Sequence, residues 1–340
     1  MEILLISPTQ SGIGGIAQHV QGLSNYLKDK GHNVEIMSSE NTFTIPIKGL
    51  KNPSFMISSY LKSKFKKKFD IVHAHNIPSA LAMKNISGKK ILTLHGIFSE
   101  QIDQLHGTTS GNVSEKYEKN AISWADLTTV ISKEAFDYYS KKGFQTIKIP
   151  NAINIEKLNK LEDRRYQKQI IFAGRLSKEK GIETLLKICN ELDEELDLLI
   201  IGDGPEKEKF TNIQLKKKNI HFLGIQSHEK TISLIRGSDI LVQPSLSEGI
   251  STTLLEAMAC KTCIITSNVG GNLELIKNQE NGILIEPLDH KLFNKTINHI
   301  MQDKLLRKKY SESAFDKIKE YDWINIGEKY LELYQSVLSK

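Results

Sequence analysis

Two glutamates, Glu248 and Glu256, lie eight positions apart on either side of a predicted helix start. The apolar run 240–242 predicts a buried strand before them, and the residues after Ser251 are apolar at helical spacing. Ser251 is a common helix N-cap, and Gly249 lets the backbone approach a ligand closely. Free N–H groups of a first helical turn bind anions, whereas carboxylates accept hydrogen bonds from sugar hydroxyls. Phosphate and sugar hydroxyls together describe a nucleotide sugar.

A second loop carries the cations that such a ligand needs. The segment 173–181 lies between a predicted strand and a predicted helix and contains Arg175 and Lys180. Arginine offers phosphate a two-pronged donor, and lysine offers a mobile point charge. The segment therefore predicts a diphosphate clamp, with a solvated basic loop as the alternative.

Histidines end two predicted strands in the first half of the chain. His95 precedes a glycine at one strand end, where it can hydrogen-bond a sugar hydroxyl or a phosphate oxygen. His73 and His75 share one face of another strand and could line an acceptor site. Metal ligation needs further partners that the sequence does not indicate, so no metal site is predicted.

A glycine-rich loop follows the first predicted strand and contains Gly14 and Gly15. It lacks the third glycine of a dinucleotide fingerprint, and no acidic residue ends the second strand to hold a ribose. The loop is therefore interpreted as one that approaches phosphate or sugar, with an unliganded turn as the alternative.

Strands alternate with helical patterns along both halves of the chain, which predicts two doubly wound α/β domains in tandem. The predicted strands are 2–6, 33–37, 70–74, 90–94, 127–131, 146–149, 169–173, 198–201, 220–223, 240–243, 263–266 and 283–285. The predicted helices between them are 16–30, 79–85, 114–124, 132–142, 182–189, 206–217, 228–236, 251–259 and 273–277. The predicted divisions are a first domain at 1–157, a polar linker at 158–168, a second domain at 169–320 and an amphipathic tail helix at 321–340. Ligands of such sheets bind beyond the carboxyl ends of the strands. The reaction site is accordingly expected in a cleft between the domains.

Composition narrows the protein class. With 39% hydrophobic and 25% charged residues among 340, the chain is typical of a globular protein and not of a disordered one. No run of about 18 apolar residues and no signal segment are present, so a cytoplasmic enzyme is expected. The pair Cys260 and Cys263 has no second ligand pair and is interpreted as buried apolar residues.

These motifs, in this order, resemble glycosyltransferase family 4, the group 1 transferases of GT-B fold that act with retention of configuration. The resemblance rests on Glu248-Gly-Ile-Ser and Leu-Leu-Glu256-Ala-Met-Ala, and on Gly174-Arg175 with Lys180-Gly181. It implies a catalytic group consisting of His95, Glu248, Arg175 and Lys180. It implies donor contacts from Gly14, Gly15, Gly174, Gly202, Asp203, Phe222, Leu223, Gly249, Ile250, Ser251 and Glu256. It also implies that the tail helix packs back on the first domain.

The resemblance assigns each part a role. Arg175 and Lys180 stabilise the leaving diphosphate, Glu256 holds the ribose, Glu248 contacts the donor sugar and His95 orients it. The nucleobase is read by backbone groups near Phe222, so UDP, GDP and ADP are not distinguished. No cofactor and no metal are implied beyond the donor, and the acceptor is a saccharide or a lipid-linked group. A nucleotide-sugar epimerase and a non-catalytic carbohydrate-binding module remain as alternatives.

All of the net positive charge, +6, belongs to residues 1–150. The segment Lys62–Lys68 concentrates it, with five lysines around Phe65. A basic amphipathic helix here would bind an anionic membrane surface, and a solvated lysine face is the alternative. Nucleic acid is not expected as a partner, because no recognition module accompanies the lysines.

Overall fold

The computed structural model describes residues 1–10, 15–45, 47, 50–97, 111–158 and 160–339, of which 111–114 are described by their backbone alone. The chain forms two compact units. The first comprises Met1–Ala152 together with Trp323–Lys340, and the second is the continuous stretch Ile153–Asp322.

A six-stranded parallel sheet forms the centre of the first unit, with the strand order β2-β1-β3-β4-β5-β6. Ile3, Leu4, Leu5 and Ile6 are all fully buried, as expected of a parallel strand that is covered on both faces. The strands are β1 (Glu2–Ser7), β2 (Asn33–Ser38), β3 (Ile71–His75), β4 (Lys89–Leu94), β5 (Leu127–Val130) and β6 (Thr146–Lys148). The helices are α1 (Gly15–Asp29), α2 (Lys51–Ser63), α3 (Ile77–Asn85), α4 (Gly111–Ser123), α5 (Lys133–Lys141) and the last helix of the chain, α13 (Trp323–Leu338).

The second unit repeats this plan with the strand order β12-β11-β10-β7-β8-β9, again all parallel. Its strands are β7 (Gln169–Ala173), β8 (Asp197–Ile201), β9 (Ile220–Gly224), β10 (Ile240–Gln243), β11 (Cys263–Ser267) and β12 (Ile283–Ile285). Its helices are α6 (Ile182–Glu191), α7 (Lys207–Gln214), α8 (His228–Arg236), α9 (Thr252–Ala259), α10 (Asn272–Leu275), α11 (His290–Gln302) and α12 (Lys304–Ile318). The fold class predicted from the strand–helix alternation is confirmed.

Residues 158–168 do not behave as a free linker. Leu158 is buried in the core of the second unit, and the amide of Asp163 donates to the carbonyl of Ser233 at 2.9 Å. Arg164 Nη2 lies 2.6 Å from a carboxylate oxygen of Asp239. Part of this polar segment is therefore anchored to the second unit, through Ser233 in α8 and through Asp239 just before β10.

The last helix, α13, belongs to the first unit, where Tyr330 and Tyr334 are fully buried. Its contact with α1 depends on glycines. A Cβ atom at Gly22 would lie 2.2 Å from the indole Nε1 of Trp323, and one at Gly327 would lie 2.4 Å from the ring of Tyr26. Small residues thus let the two helices approach closely. Among the described residues, no helix is both long and apolar enough to span a membrane.

Candidate active site

The strand order of the second sheet brings the predicted donor residues to one edge. Strands β10, β7, β8 and β9 are consecutive neighbours and parallel, so the loops at their carboxyl ends are adjacent. These loops carry Glu248 after β10, Arg175 and Lys180 after β7, and Asp203 after β8. Backbone hydrogen bonds join them, from Gly174 to Ile201 at 3.0 Å and from Gly202 to Gly224 at 2.9 Å. Residues far apart in sequence therefore share one rim.

Glu248 is a nearly buried carboxylate with three donors on the same oxygen. Oε1 accepts from Lys180 Nζ at 2.6 Å, from Gln243 Nε2 at 2.6 Å and from Ser245 Oγ at 2.7 Å. A carboxylate with several donors is fixed in orientation, which leaves Oε2 as the atom that can accept from a ligand hydroxyl. Sequence reasoning missed both partners, although Gln243 is the last residue of β10 and Ser245 lies two positions after it.

The two cations of the predicted clamp have different surroundings. Lys180 is ion-paired with Glu248, so in this structure its ammonium group is oriented by the carboxylate and does not project as an isolated charge. Arg175 is exposed, and its guanidinium group has no hydrogen-bond or ion-pair partner in the part of the chain that the structure describes, although its carbonyl accepts from the amide of Ser177 at 3.0 Å. An ammonium group has three N–H donors, so Lys180 can hold Glu248 and still donate to a phosphate oxygen.

Two glycines of this rim are required by close backbone packing. Gly181 has a φ of +68°, and a Cβ atom on it would lie 1.8 Å from the carbonyl oxygen of Pro244. Gly202 has a φ of +141°, and its Cβ would lie 1.8 Å from the carbonyl oxygen of Gly174. Gly202 was predicted as a donor contact, and its close packing against Gly174 is a separate reason for a glycine there. A Cβ atom on Gly174 itself would make only an ordinary contact, 3.6 Å from the ring of Phe172.

Ser251 caps α9, as the sequence predicts, with its Oγ accepting from the amide of Leu254 at 3.4 Å. The same hydroxyl exchanges hydrogen bonds with the side chain of Gln243 at 3.1 and 3.2 Å. Ile250 is buried, and Gly249 is held against Gly271, whose amide donates to the carbonyl of Glu248 at 3.0 Å. The loop before α9 is thus fixed on both sides.

Glu256 lies inside α9 and is nearly buried, and its Oε1 is 2.8 Å from Nε2 of His228. This hydrogen bond raises the pKa of His228, against the opposing effect of partial burial. His228 is the first residue of α8 after the capping Ser227. Sequence reasoning missed it because nothing in the chain's order pairs α8 with α9.

The remaining donor residues lie along β8 and β9. Asp203 is exposed and weakly paired with Lys207 at 3.5 Å. The amide of Phe222 donates to Gln214 Oε1 at 2.5 Å, and the carbonyl of Leu223 accepts from Gln226 Nε2 at 2.7 Å. Two glutamine side chains therefore already engage the backbone that was predicted to read the nucleobase.

In the first unit, Gly15 begins α1 directly after the β1 loop, whereas Gly14 lies outside the described residues. His95 follows β4 and is 9% exposed. Its amide donates to Asn76 Oδ1 at 2.7 Å, and its ring Nε2 lies 3.2 Å from Nδ1 of His75. Burial lowers the pKa of His95 to about 4, with hydrogen bonding to Asn151 acting in the opposite direction.

His95 belongs to a buried cluster with His19, His73 and His75. Burial, together with neighbouring rings, lowers the pKa of His73 to about 3 and those of His19 and His75 well below the ordinary value. One nitrogen from each of His19, His75 and His95 lies within 4.8 Å of the others, so neutral rings that could hold a metal ion are gathered here. The sequence indicated His73, His75 and His95 at strand ends without joining them, and nothing in α1 marks His19 as a further partner.

The lysine run departs from its prediction. Helix α2 ends at Ser63, so only Lys62 and Ser63 of the segment are helical. Lys66 is ion-paired with Glu35, and Lys67 with Glu2 at 2.5 Å. Phe65, in contrast, is 90% exposed. The charge is thus partly satisfied within the unit, and the amphipathic basic helix is wrong because the chain turns after Ser63.

Cys260 and Cys263 are buried free thiols, and burial raises the pKa of each to about 12. Protonated, buried thiols are poor nucleophiles and poor metal ligands, in agreement with the interpretation from sequence.

Comparison with known families matches both units. The description "Glycosyl transferases group 1" covers residues 154–317, and "Glycosyltransferase Family 4" covers residues 13–157. An uncharacterized glycosyltransferase of Methanocaldococcus jannaschii is 28% identical over 95% of both chains. Phosphatidyl-myo-inositol mannosyltransferase of Mycobacterium leprae is 23% identical over 99% of this chain and 97% of its own.

Solved structures show the same fold. Sucrose-phosphate synthase of Thermosynechococcus elongatus superimposes with a TM-score of 0.83 at 19% identity and full coverage of both chains. Anabaena HepE in complex with UDP and glucose gives 0.75 at 16% identity, covering 99% of this chain and 100% of its own. With family matches over both sheets and a rim of carboxylates and cations at the strand ends, the chain is a GT-B glycosyltransferase that belongs to family 4, the group 1 glycosyl transferases.

Proposed function

We propose that this glycosyltransferase moves a sugar from a nucleotide-diphosphate sugar to an acceptor, with retention of configuration and without a divalent metal. The observation that carries the proposal is the rim at which Arg175 and the Lys180–Glu248 pair lie together beyond parallel strand ends. The solved structure of HepE, a protein of the same fold, is a complex with UDP and glucose. A nucleotide sugar suits this rim because it presents phosphate oxygens to cations and hydroxyls to carboxylates.

Arg175 and Lys180 act on the diphosphate. As the sugar–phosphate bond breaks, negative charge builds on the leaving phosphate, and a preorganised cation stabilises that charge. Lys180 is preorganised because Glu248 already fixes its ammonium group. Glu248 Oε2 faces the donor sugar, Glu256 accepts from the ribose and His95 orients the sugar. Protein cations and the N-terminus of α9 supply the charge that a divalent ion would otherwise bring.

The first experiment separates rate from binding. A thermal-shift panel of UDP-, GDP- and ADP-sugars selects the donor for the assays. Arg175→Ala should lower turnover by about 10²–10³ with a smaller effect on the donor's Michaelis constant. Arg175→Lys should recover only part of the loss, since an ammonium cannot reproduce the guanidinium fork. Wild-type turnover in a folded Arg175→Ala, Lys180→Ala variant would remove the clamp from the mechanism.

Retention and metal independence have their own measurements. The anomeric configuration of the product, read by proton NMR, should equal that of the donor sugar. Activity should survive exhaustive treatment with a chelator, and a dead enzyme that magnesium or manganese revives would contradict the proposal. Conversion of the donor to an epimer without any acceptor would instead identify an epimerase.

The acceptor is proposed to be lipid-linked, with a saccharide as the other class. A relative named phosphatidyl-myo-inositol mannosyltransferase supports the lipid class. The outward face of α2 supports it independently, because Ile57 is 62% exposed, Leu61 is 52% exposed and Phe65 follows them. Lysines 62, 64 and 68 flank this apolar strip, which is the arrangement that favours an anionic bilayer surface on the cytoplasmic side.

Vesicle sedimentation tests the membrane surface. The enzyme should bind vesicles that contain anionic lipid, and binding should fall as salt rises. The double variant Ile57→Ser, Leu61→Ser should lose most of this binding. Leu215→Ser is the matched control, since Leu215 is 82% exposed in the other unit. Equal binding to neutral and anionic vesicles, or equal loss in the control, would reject the surface.

A further inference from the structure

His95 is held by a second histidine. Its Nε2 faces Nδ1 of His75 at 3.2 Å, with the ring centroids 5.5 Å apart and an angle of 39° between the planes. His75 is fully buried at the end of β3, and its carbonyl accepts from Ser79 Oγ at 2.9 Å. The residue after it, Asn76, has a φ of +63° and accepts the amide of His95 through Oδ1. Side chain and backbone of His95 are thus fixed from neighbouring positions on one strand end.

The contact couples the protonation sites of the two rings. Both rings are neutral at ordinary pH, because burial keeps their pKa values low. A neutral imidazole has one N–H and one bare nitrogen. If His75 donates from Nδ1, then His95 is bare at Nε2 and must carry its proton on Nδ1. If His95 donates from Nε2 instead, then His75 is bare at Nδ1, and both rings carry their proton on Nε2.

The surroundings of His75 decide between the two choices. Its Nε2 is buried without a hydrogen-bond partner in the described part of the chain. A buried N–H without an acceptor is rarer in proteins than an acceptor with a missing donor. The bare nitrogen of His75 is therefore Nε2, and its proton is on Nδ1.

His73 does not compete for this contact. Its ring centroid lies 4.3 Å from that of His75, with the two planes tilted by 32°. Its two nitrogens are engaged by Tyr334 Oη at 2.7 Å and by Thr93 Oγ1 at 2.6 Å. His19 approaches His95 edge-on at 5.0 Å, and its Nε2 is 3.1 Å from Tyr330 Oη. His75 is then the histidine among these that sets the ring of His95.

We propose that His75 is a positioning residue that donates from Nδ1 to His95 and holds the His95 proton on Nδ1, so that the one N–H of His95, which is available to Asn151 and to the sugar, lies on Nδ1. This inference rests on the proposed role of His95 in orienting the donor. It assigns a role to His75, which touches no substrate, and a protonation site to His95, which contacts the sugar in the proposed function.

Two amide variants test the geometry through kinetics. In His75→Asn the amide group falls near the position of Nδ1, whereas in His75→Gln it falls near Nε2. His75→Asn should keep turnover within about threefold of wild type, and His75→Gln should lose about 10–100-fold, which corresponds to about 1.4–2.7 kcal/mol. The donor's Michaelis constant should change little in both. Equal turnover in the two variants would contradict the role of His95 in transfer, and the ring-nitrogen spectra test its positioning by His75 separately.

NMR of ring nitrogens reads the protonation site directly and does not depend on transfer. The enzyme is labelled with ¹⁵N-histidine, treated with a chelator and recorded near pH 7, and a His95→Gln variant identifies the His95 signals. In the wild type both His75 and His95 should be protonated on Nδ1. His75→Gln should shift the His95 proton toward Nε2, whereas His75→Asn should leave it in place.

The two readouts separate the possible failures. A His95 proton on Nε2 in the wild type, or one that does not respond to His75→Gln, overturns the positioning inference. A proton that moves as expected while turnover stays unchanged overturns the role of His95 in the proposed function. Denaturant midpoints from tryptophan emission, which reports on the first unit through Trp124 and Trp323, should be similar in the two variants, which shows that both are folded.

Discussion

Two cations in one loop, Arg175 and Lys180, are expected to differ in their effect on stability. Lys180 pairs with the nearly buried Glu248, so Lys180→Met leaves that carboxylate without its charged partner. The free energy of unfolding should fall by about 1–3 kcal/mol. Arg175→Ala should change it by no more than about 0.5 kcal/mol, because the side chain is exposed. Urea unfolding measures both.

A double-mutant cycle supplies the control. Adding Glu248→Gln to Lys180→Met should restore part of the lost stability, since the uncompensated charge is removed. Strictly additive losses would mean that the 2.6 Å contact does not couple the two residues.

His228 gives a pH-dependent prediction in the second unit. Glu256 raises the pKa of His228 above its ordinary value of 6.5. The stabilisation is fully present below pH 6.5 and is lost as pH rises through the raised pKa. The stability difference between wild type and His228→Gln should therefore shrink from pH 6 to pH 8. In a Glu256→Gln background this decline should disappear, because the main cause of the raised pKa is gone and partial burial, which lowers it, remains. A decline as large as that in the wild-type background would contradict the pairing.

At the scale of elements, the rim depends on loops that meet through glycines. Gly181→Ala and Gly31→Ala form a matched pair, since both positions have left-handed backbone, with φ of +68° and +80°. Gly31 has no neighbour within 4 Å of an added Cβ, so only the conformational cost of about 1–2 kcal/mol applies. Gly181→Ala should cost more, because its Cβ would overlap the carbonyl of Pro244. It should also weaken donor binding, measured by calorimetry, whereas Gly31→Ala should not.

The sequence predicted all twelve strands that the structure describes, because buried parallel strands are short apolar runs separated by polar loops. It missed α2, α11 and α12. Helices usually bury apolar residues and expose polar ones. In α2 this is partly reversed, since Ser59 and Ser63 are buried while Ile57 and Leu61 are exposed. A helix with apolar residues on its exposed side has no readable inward face, so its pattern gives little indication of structure.

The candidate site likewise contains residues that the sequence indicates and residues that it does not. Glu248, Lys180 and Arg175 could be predicted because each belongs to a local motif at a strand end. Their donors and partners, such as Gln243 and His228, could not, because strand order rather than chain order brings them together. The capping Ser251 was predictable since a cap depends on only four consecutive residues.

At the scale of the whole molecule, the histidine cluster makes the first unit sensitive to acid. Its rings have folded pKa values below that of an unfolded histidine, so the unfolded chain takes up protons first as pH falls below 6.5. The free energy of unfolding should drop by up to about 1.4 kcal/mol per pH unit for each such ring. Carboxylates add their own effect only at lower pH.

Tryptophan fluorescence isolates this effect. The chain has two tryptophans, Trp124 and Trp323, and both belong to the first unit. Denaturant midpoints from their emission should fall from pH 7 to pH 5. The decline should be smaller in a His73→Gln variant, because one depressed pKa is removed. An unchanged midpoint over this range would contradict the burial of neutral rings.

The division of the chain also sets an order of events during synthesis. The first unit is interrupted by the whole of the second, and its last helix leaves the ribosome only after residues 153–322. Until then His19 and His73 lack the hydroxyl groups of Tyr330 and Tyr334, and the face of α1 that receives Trp323 is uncovered. The second unit, being continuous, can complete itself while the first still waits. The half of the enzyme that is made first is thus the half that is finished last.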